Sequence, residues 1–67
     1  IYLITWHPEY ISILDFKTDT VQSETELIDK YHAQLDTYKK AIHLIEPDKN
    51  IKTYIYSFHL RKIIPLD

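Results

Sequence analysis

Residues 1–6 (Ile-Tyr-Leu-Ile-Thr-Trp) are mostly apolar and β-prone, and His7-Pro8-Glu9 ends the run, since proline removes a ladder donor and restricts its neighbour. Tyr10-Ile11-Ser12-Ile13-Leu14-Asp15-Phe16 follows, apolar on nearly both sides except at Ser12 and Asp15. Two strands joined by so short a turn predict an antiparallel hairpin. Lys17 to Gln22 is polar and reads as a loop. Ser23 and Glu26 then form a Ser-x-x-Glu capping box, with Glu24 and Glu26 in the first turn, where the helix dipole favours acids. Leu27, Tyr31, Gln34, Tyr38, Ala41 and Ile45 recur at spacings of three and four, flanked by Ile28, Leu35 and Ile42. This predicts a long amphipathic helix with Asp29, Lys30, Asp36, Lys39 and Lys40 on its outer face, stopped by Pro47. After an exit loop, Glu46 to Asn50, residues Ile51 to Phe58 alternate β-branched and aromatic types as a third strand. Ile63-Ile64-Pro65-Leu66 is either a short edge strand or a frayed tail, because Pro65 is unsuited to a central strand.

A strand, a crossover helix and a further strand pair in parallel with a right-handed connection. The fold class is therefore α/β in the α+β sense: a mixed sheet of three to four strands with one long helix across one face. The opposite face has no second helix to cover it, which predicts that the chain is part of a larger body.

Composition narrows the chemistry. The 67 residues contain no Cys, so disulfides, thiolate zinc sites and cysteine nucleophiles are excluded. Gly is also absent, which excludes the glycine-dependent phosphate loops of nucleotide-binding folds. The formal net charge of −2 means that any contact with nucleic acid has to be local. His7, His32, His43 and His59 show no short zinc-ligand spacing. No apolar run is long enough for a signal peptide or a membrane span, and the chain begins at Ile1, so the expectation is a cytoplasmic protein piece with no membrane partner.

The informative residues close the second strand. Alternation puts Asp15 and Lys17 on one side, about 7 Å apart along the strand. A carboxylate beside an ammonium at a strand end suits phosphate chemistry: the acid holds a hard divalent ion, and the lysine steadies the attacking hydroxide or the charge developing on phosphate. An Asp-x-Lys tripeptide is also what an ordinary surface ion pair looks like. Gln34 and Tyr38 add weight, since they lie one turn apart on the apolar stripe of the next helix and should point toward the sheet.

The joint pattern, Leu14-Asp15-Phe16-Lys17-Thr18-Asp19 followed by Gln34-Leu35-Asp36-Thr37-Tyr38, resembles the RecB-like branch of the PD-(D/E)XK nucleases. Within that branch it looks most like the carboxy-terminal nuclease domain of the AddA (RexA) family, the A subunits of bacterial ATP-dependent helicase-nucleases. There an Asp-Tyr-Lys-Thr-Asp signature precedes a Gln-x-x-x-Tyr helix and a strand rich in Tyr and Phe, and Tyr54-Ile55-Tyr56-Ser57-Phe58 stands where that strand belongs. The resemblance covers about Ile11 to Ile64.

It implies that residues 1–67 are part of the ββαβ portion of a restriction-endonuclease-like core. Asp15 would be a catalytic metal ligand, Phe16 would lend its backbone carbonyl to the metal, Lys17 would be the catalytic lysine, and Gln34 and Tyr38 would be active-site or DNA-backbone partners. Thr18 and Asp19 would shape the loop. The implied ion is Mg2+ or Mn2+, and ATP would enter only through a helicase region outside this chain. The implied partners are DNA, as double-stranded ends and single strands, and an AddB/RexB-type second subunit. The implied role is exonucleolytic processing of double-strand breaks for recombinational repair.

One position departs from the pattern. The family carries another metal-binding Asp on the preceding strand, and Tyr2 aligns with it by spacing. A neutral phenol is a poor ligand for magnesium. Glu9 would substitute only if the hairpin were shorter. The chain alone is therefore not expected to cut, and a nuclease-like fold that holds DNA or docks a subunit without cleavage stands as the alternative.

Overall fold

The computed structural model describes residues 2–66 and contains four strands and one helix: β1 (Tyr2–Trp6), β2 (Tyr10–Lys17), α1 (Glu24–Ile45), β3 (Asn50–Ser57) and β4 (Lys62–Pro65). Ile1, placed in the first strand by its sequence, lies outside the described residues. The sheet order is β1-β2-β3-β4, with β1 and β4 antiparallel to their neighbours and the central pair β2 and β3 parallel across α1. The fold is thus a four-stranded mixed α+β sheet with one helix. The stretch that reads as an edge strand or a tail is an edge strand, and Pro65 sits at its end.

Register decides which side chains meet the helix. Ile11, Ile13, Asp15 and Lys17 of β2 lie opposite Ile51, Thr53, Ile55 and Ser57 of β3. Parallel partners share a face, so these eight residues form the helix-facing surface. Ile11, Ile13, Ile51, Ile55 and Ile64 are buried there against Leu27 and Leu35, and Val21 closes the core from the loop. Tyr31, Tyr38 and Ile42 pack around them, half-buried. Each fully buried Leu or Ile contributes about 1.5–3 kcal/mol, and this single layer is the hydrophobic support of the whole unit.

The helix starts where its cap predicts, with a variation. Ser23 Oγ accepts from the Glu26 N–H at 3.3 Å, but Glu26 reaches back to the Gln22 N–H at 2.8 Å and not to the cap residue itself. Its far end departs from the expected stripe. Ala41 is exposed and Ile45 is 67 % exposed, because 22 helical residues span about 33 Å whereas an eight-residue strand spans about 26 Å. The last turn overhangs the sheet.

The other face of the sheet is open. Leu14, Phe16, Tyr54 and Tyr56 are half-buried on it, flanked by exposed Leu3 and Ile63 and by Phe58 just beyond β3. Phe58 packs edge-on against Tyr56, with ring centroids 5.0 Å apart, and both lie about 6 Å from Phe16. Between β3 and β4, Arg61 takes a left-handed backbone with φ of 57°, a position that glycine usually fills but that a glycine-free chain must assign to another residue.

Candidate active site

The candidate site forms where β2 ends beneath the middle of α1. Asp15 is 2 % exposed and Lys17 is 15 % exposed, and the ammonium lies 3.1 Å from the carboxylate. Lys17 Nζ also sits 3.9 Å above the centre of the Tyr31 ring and donates a long, 3.5 Å hydrogen bond to Gln34 Oε1. Gln34 Nε2 in turn donates to the Tyr38 hydroxyl at 3.0 Å. The Tyr38 ring packs against Tyr2, centroids 4.9 Å apart, and Tyr2 is the cross-strand partner of Asp15. The structure therefore brings Asp15, Lys17, Gln34 and Tyr38 into one continuous cluster, through contacts that cross from strand to helix.

Local rules explain the convergence. Asp15 and Lys17 share the helix-facing side because their separation is one strand period. Gln34 and Tyr38 share a helix face because theirs is one turn. Gln34 itself is exposed and not turned into the core as its place on the stripe implies. It lies at the rim, where a buried amide would have needed every donor satisfied.

A second network pins the loop after β2. Asp19 accepts from the Tyr31 hydroxyl at 2.8 Å and pairs with Lys30. The hydrogen bond from Lys30, then that from Tyr31, holds the Asp19 carboxyl below its ordinary value, and the same contact raises Lys30. The helical pattern puts Lys30 on the outer face; its ammonium reaches across to the loop instead, attracted by the acid. Tyr31 is the residue whose role the pattern hides, since its spacing marks it as apolar stripe alone. Its ring braces Lys17 while its hydroxyl holds Asp19, and only an aromatic with a polar tip does both.

The fit of a divalent ion follows from the donors present. Magnesium takes oxygen ligands from one or two carboxylates and retained waters. Here one carboxylate is buried against an ammonium, and a phenol occupies the cross-strand position where a second acid would complete the site. Among the described residues, no three His, Cys, Asp or Glu side chains cluster. Glu9 does not substitute for that acid, because it lies in the turn at the opposite end of the hairpin, six residues and about 20 Å from Asp15. The residues as they stand do not fit a self-sufficient magnesium site. The Lys17 ammonium is held by Asp15 and Gln34, and the Gln34 amide by the Tyr38 hydroxyl.

The chain thus carries, on a mixed sheet, a strand-end acid and lysine in contact with the Gln-x-x-x-Tyr face of a helix. The chain is 44 % identical over 54 residues, 81 % of its length, to the A subunit of the ATP-dependent helicase/nuclease of Clostridium botulinum (strain Alaska E43 / Type E3). It is 38 % identical over 64 residues, 92 % of its length, to the protein of the same name in Syntrophomonas wolfei, and 40 % identical over 58 residues, 84 % of its length, to that of Clostridium beijerinckii. The matched segment spans only 4 % to 5 % of the length of these curated relatives. No family model matches the chain, and no solved structure matches it. No helix among the described residues is long and apolar enough to cross a membrane.

Proposed function

We propose that this chain is the ββαβ portion of a PD-(D/E)XK-type DNA nuclease domain within the larger component of a helicase-nuclease. The observation that carries the reading is the continuous contact from Asp15 through Lys17 and Gln34 to Tyr38, on a segment similar to proteins named as A subunits of the ATP-dependent helicase/nuclease. The parent protein would hydrolyse DNA phosphodiesters from a double-stranded end during break repair in the bacterial cytoplasm. It would act beside an AddB/RexB-type partner, with ATP used by a motor elsewhere in the polypeptide.

Within this chain the roles divide by chemistry. Lys17 places a positive charge beside a non-bridging phosphate oxygen, and Asp15 keeps that charge in place. Gln34 and Tyr38 donate to the DNA backbone and fix its position. Magnesium or manganese would polarise the phosphodiester in a complete nuclease, and Asp15 with the Phe16 carbonyl is the contribution this segment has to offer. In full-length protein, Lys17→Ala should lower magnesium-dependent digestion of linear DNA by at least about a hundredfold, the usual effect of removing one charge-stabilising donor. Digestion at the unaltered rate would show the assignment to be wrong.

Tyr2 favours a second reading, in which the fold holds DNA or docks a subunit without cutting it. Calorimetric titration of Mg2+ and Mn2+ into the chain separates the two. Millimolar or tighter binding that disappears in Asp15→Asn supports cleavage, and its absence supports holding.

A further inference from the structure

We infer that Tyr31 is a positioning residue for the reaction proposed above: the face of its ring holds the Lys17 ammonium, and its hydroxyl fixes that ring against the loop after β2. Tyr31 takes this part only if Lys17 is the charge that meets phosphate, so the inference rests on that reading and adds to it a residue that it leaves without a role. A lysine needs such support, because its ammonium is a compact charge on a long flexible stem. A misplacement of about 1 Å in an active site costs about a hundredfold in rate.

Helix spacing brings the ring to the lysine. Tyr31 precedes both Gln34 and Leu35 by about one turn of α1, so it shares their face and meets the end of β2. Lys17 Nζ lies 3.9 Å from its ring centre, well inside the distance at which a cation is attracted to the negative face of an aromatic ring. Lys17 is largely out of water, where that attraction is stronger than on an open surface. Asp15 holds the ammonium from the strand at 3.1 Å, and Gln34 reaches it only at 3.5 Å. The ring is therefore the close support on the helix side. Without it the carboxylate would dominate and draw the ammonium toward the buried side of the cluster.

The ring is itself tethered. Its hydroxyl donates to the Asp19 carboxylate, 2.8 Å and 3.0 Å from the two oxygens, and Asp19 is also paired with Lys30. Donation to a carboxylate leaves more negative charge on a phenol ring, which strengthens its hold on a cation. Lys30 lies 5.5 Å from the same ring centre, and Asp19 draws its ammonium aside, so the ring remains available to Lys17. A leucine at position 31 would fill the same place on the apolar stripe and favour the helix as well, yet would do neither of these things.

The test is a kinetic cycle in full-length protein, with magnesium-dependent digestion of linear DNA measured for Tyr31→Leu, Tyr31→Phe, Lys17→Ala and Lys17→Ala/Tyr31→Leu. Tyr31→Leu should lower kcat about 10- to 100-fold and change KM less than about twofold, because the interaction it weakens is made in the transition state. Tyr31→Phe keeps the ring and should hold kcat within about threefold of the unaltered protein. Phe and Leu lack the same hydroxyl, so a role confined to the Asp19 tether would affect both alike. In the Lys17→Ala background, Tyr31→Leu should lower the remaining rate less than about twofold, since a residue that acts through the lysine has nothing left to position. Unaltered kcat in Tyr31→Leu, equal losses in the Phe and Leu variants, or a Tyr31→Leu loss as large without Lys17 as with it would each overturn the inference while leaving Lys17 its role. Full activity of Lys17→Ala would instead remove the role of Lys17, and with it any part for Tyr31.

Discussion

Removing the charge of Lys17 while leaving Asp15 in place tests whether their pair exists for chemistry or for stability. The carboxylate is 2 % exposed and the ammonium 15 % exposed, so both are largely out of water. Breaking such a pair by deleting one partner costs about 3–5 kcal/mol, because the remaining charge stays desolvated. Lys17→Met keeps an unbranched side chain of similar length and removes the ammonium with its contacts to Asp15, Tyr31 and Gln34, so a loss of about 3 kcal/mol is expected. A chain of 67 residues has a total stability of about 3–10 kcal/mol, so this variant stands near the edge of unfolding. The double variant Asp15→Leu/Lys17→Met removes both charges and should recover most of the loss, or exceed the unaltered chain, since a well-packed apolar pair is commonly as stable as a buried ion pair. Urea unfolding with a constant m-value measures both. A loss below about 1 kcal/mol in Lys17→Met, or a double variant as unstable as the single one, refutes the reasoning. A double variant that is stable, in a full-length protein that loses magnesium-dependent DNA digestion, would mark the pair as kept for function.

Three further outcomes follow from the same geometry. Leu35→Ala, at a residue 1 % exposed, should cost about 2–5 kcal/mol in urea unfolding, and Leu44→Ala, at 85 % exposed, less than about 0.5 kcal/mol; a reversed order would mean that α1 presents another face. Asp19 has its folded pKa below the ordinary 3.8, so the stability it contributes is complete above that value and is lost as pH falls through the lowered folded one; Asp19→Asn should flatten that part of the acid limb, and an unchanged urea midpoint profile between about pH 2 and 5 would contradict it. Tyr2→Asp puts a second carboxylate across the ladder from Asp15 and should tighten Mn2+ binding by at least about tenfold in calorimetry, a gain that fails to appear if the two positions do not share a site.

Most of the fold is legible in the sequence because its signals are local. The proline-bounded hairpin, the Ser23 cap, the three-and-four spacing of α1 and the alternation of β3 each depend on short-range rules, and every described element lies within a residue or two of its expected place. The convergence of Asp15, Lys17, Gln34 and Tyr38 is legible for the same reason, since strand period and helix turn fix which neighbours share a face. What escapes depends on lengths and on side-chain reach. The exposure of Ala41 and Ile45 follows from a helix longer than the strands beneath it, a comparison that periodicity does not make. The paths of Lys30 and Tyr31 to Asp19 require knowing where the loop after β2 runs, and its polar composition carries no such direction.

Tyr2 links the stability of the cluster to its chemistry. An acid at that position would lie directly opposite Asp15, at the 4.5–5.5 Å Cα separation typical of paired antiparallel residues, and two carboxylates so close repel unless a cation lies between them. A phenol removes the repulsion and the need for the cation together. Asp15 then pairs with Lys17, and the Tyr2 ring gains a partner in Tyr38. A phenol at position 2 thus favours the closed, ion-paired arrangement of Asp15, Lys17, Gln34 and Tyr38. On this argument an acid at position 2 should draw a divalent cation toward Asp15 at the expense of the Asp15–Lys17 pair, while the Gln34–Tyr38 contact, which involves neither acid, should persist in either form.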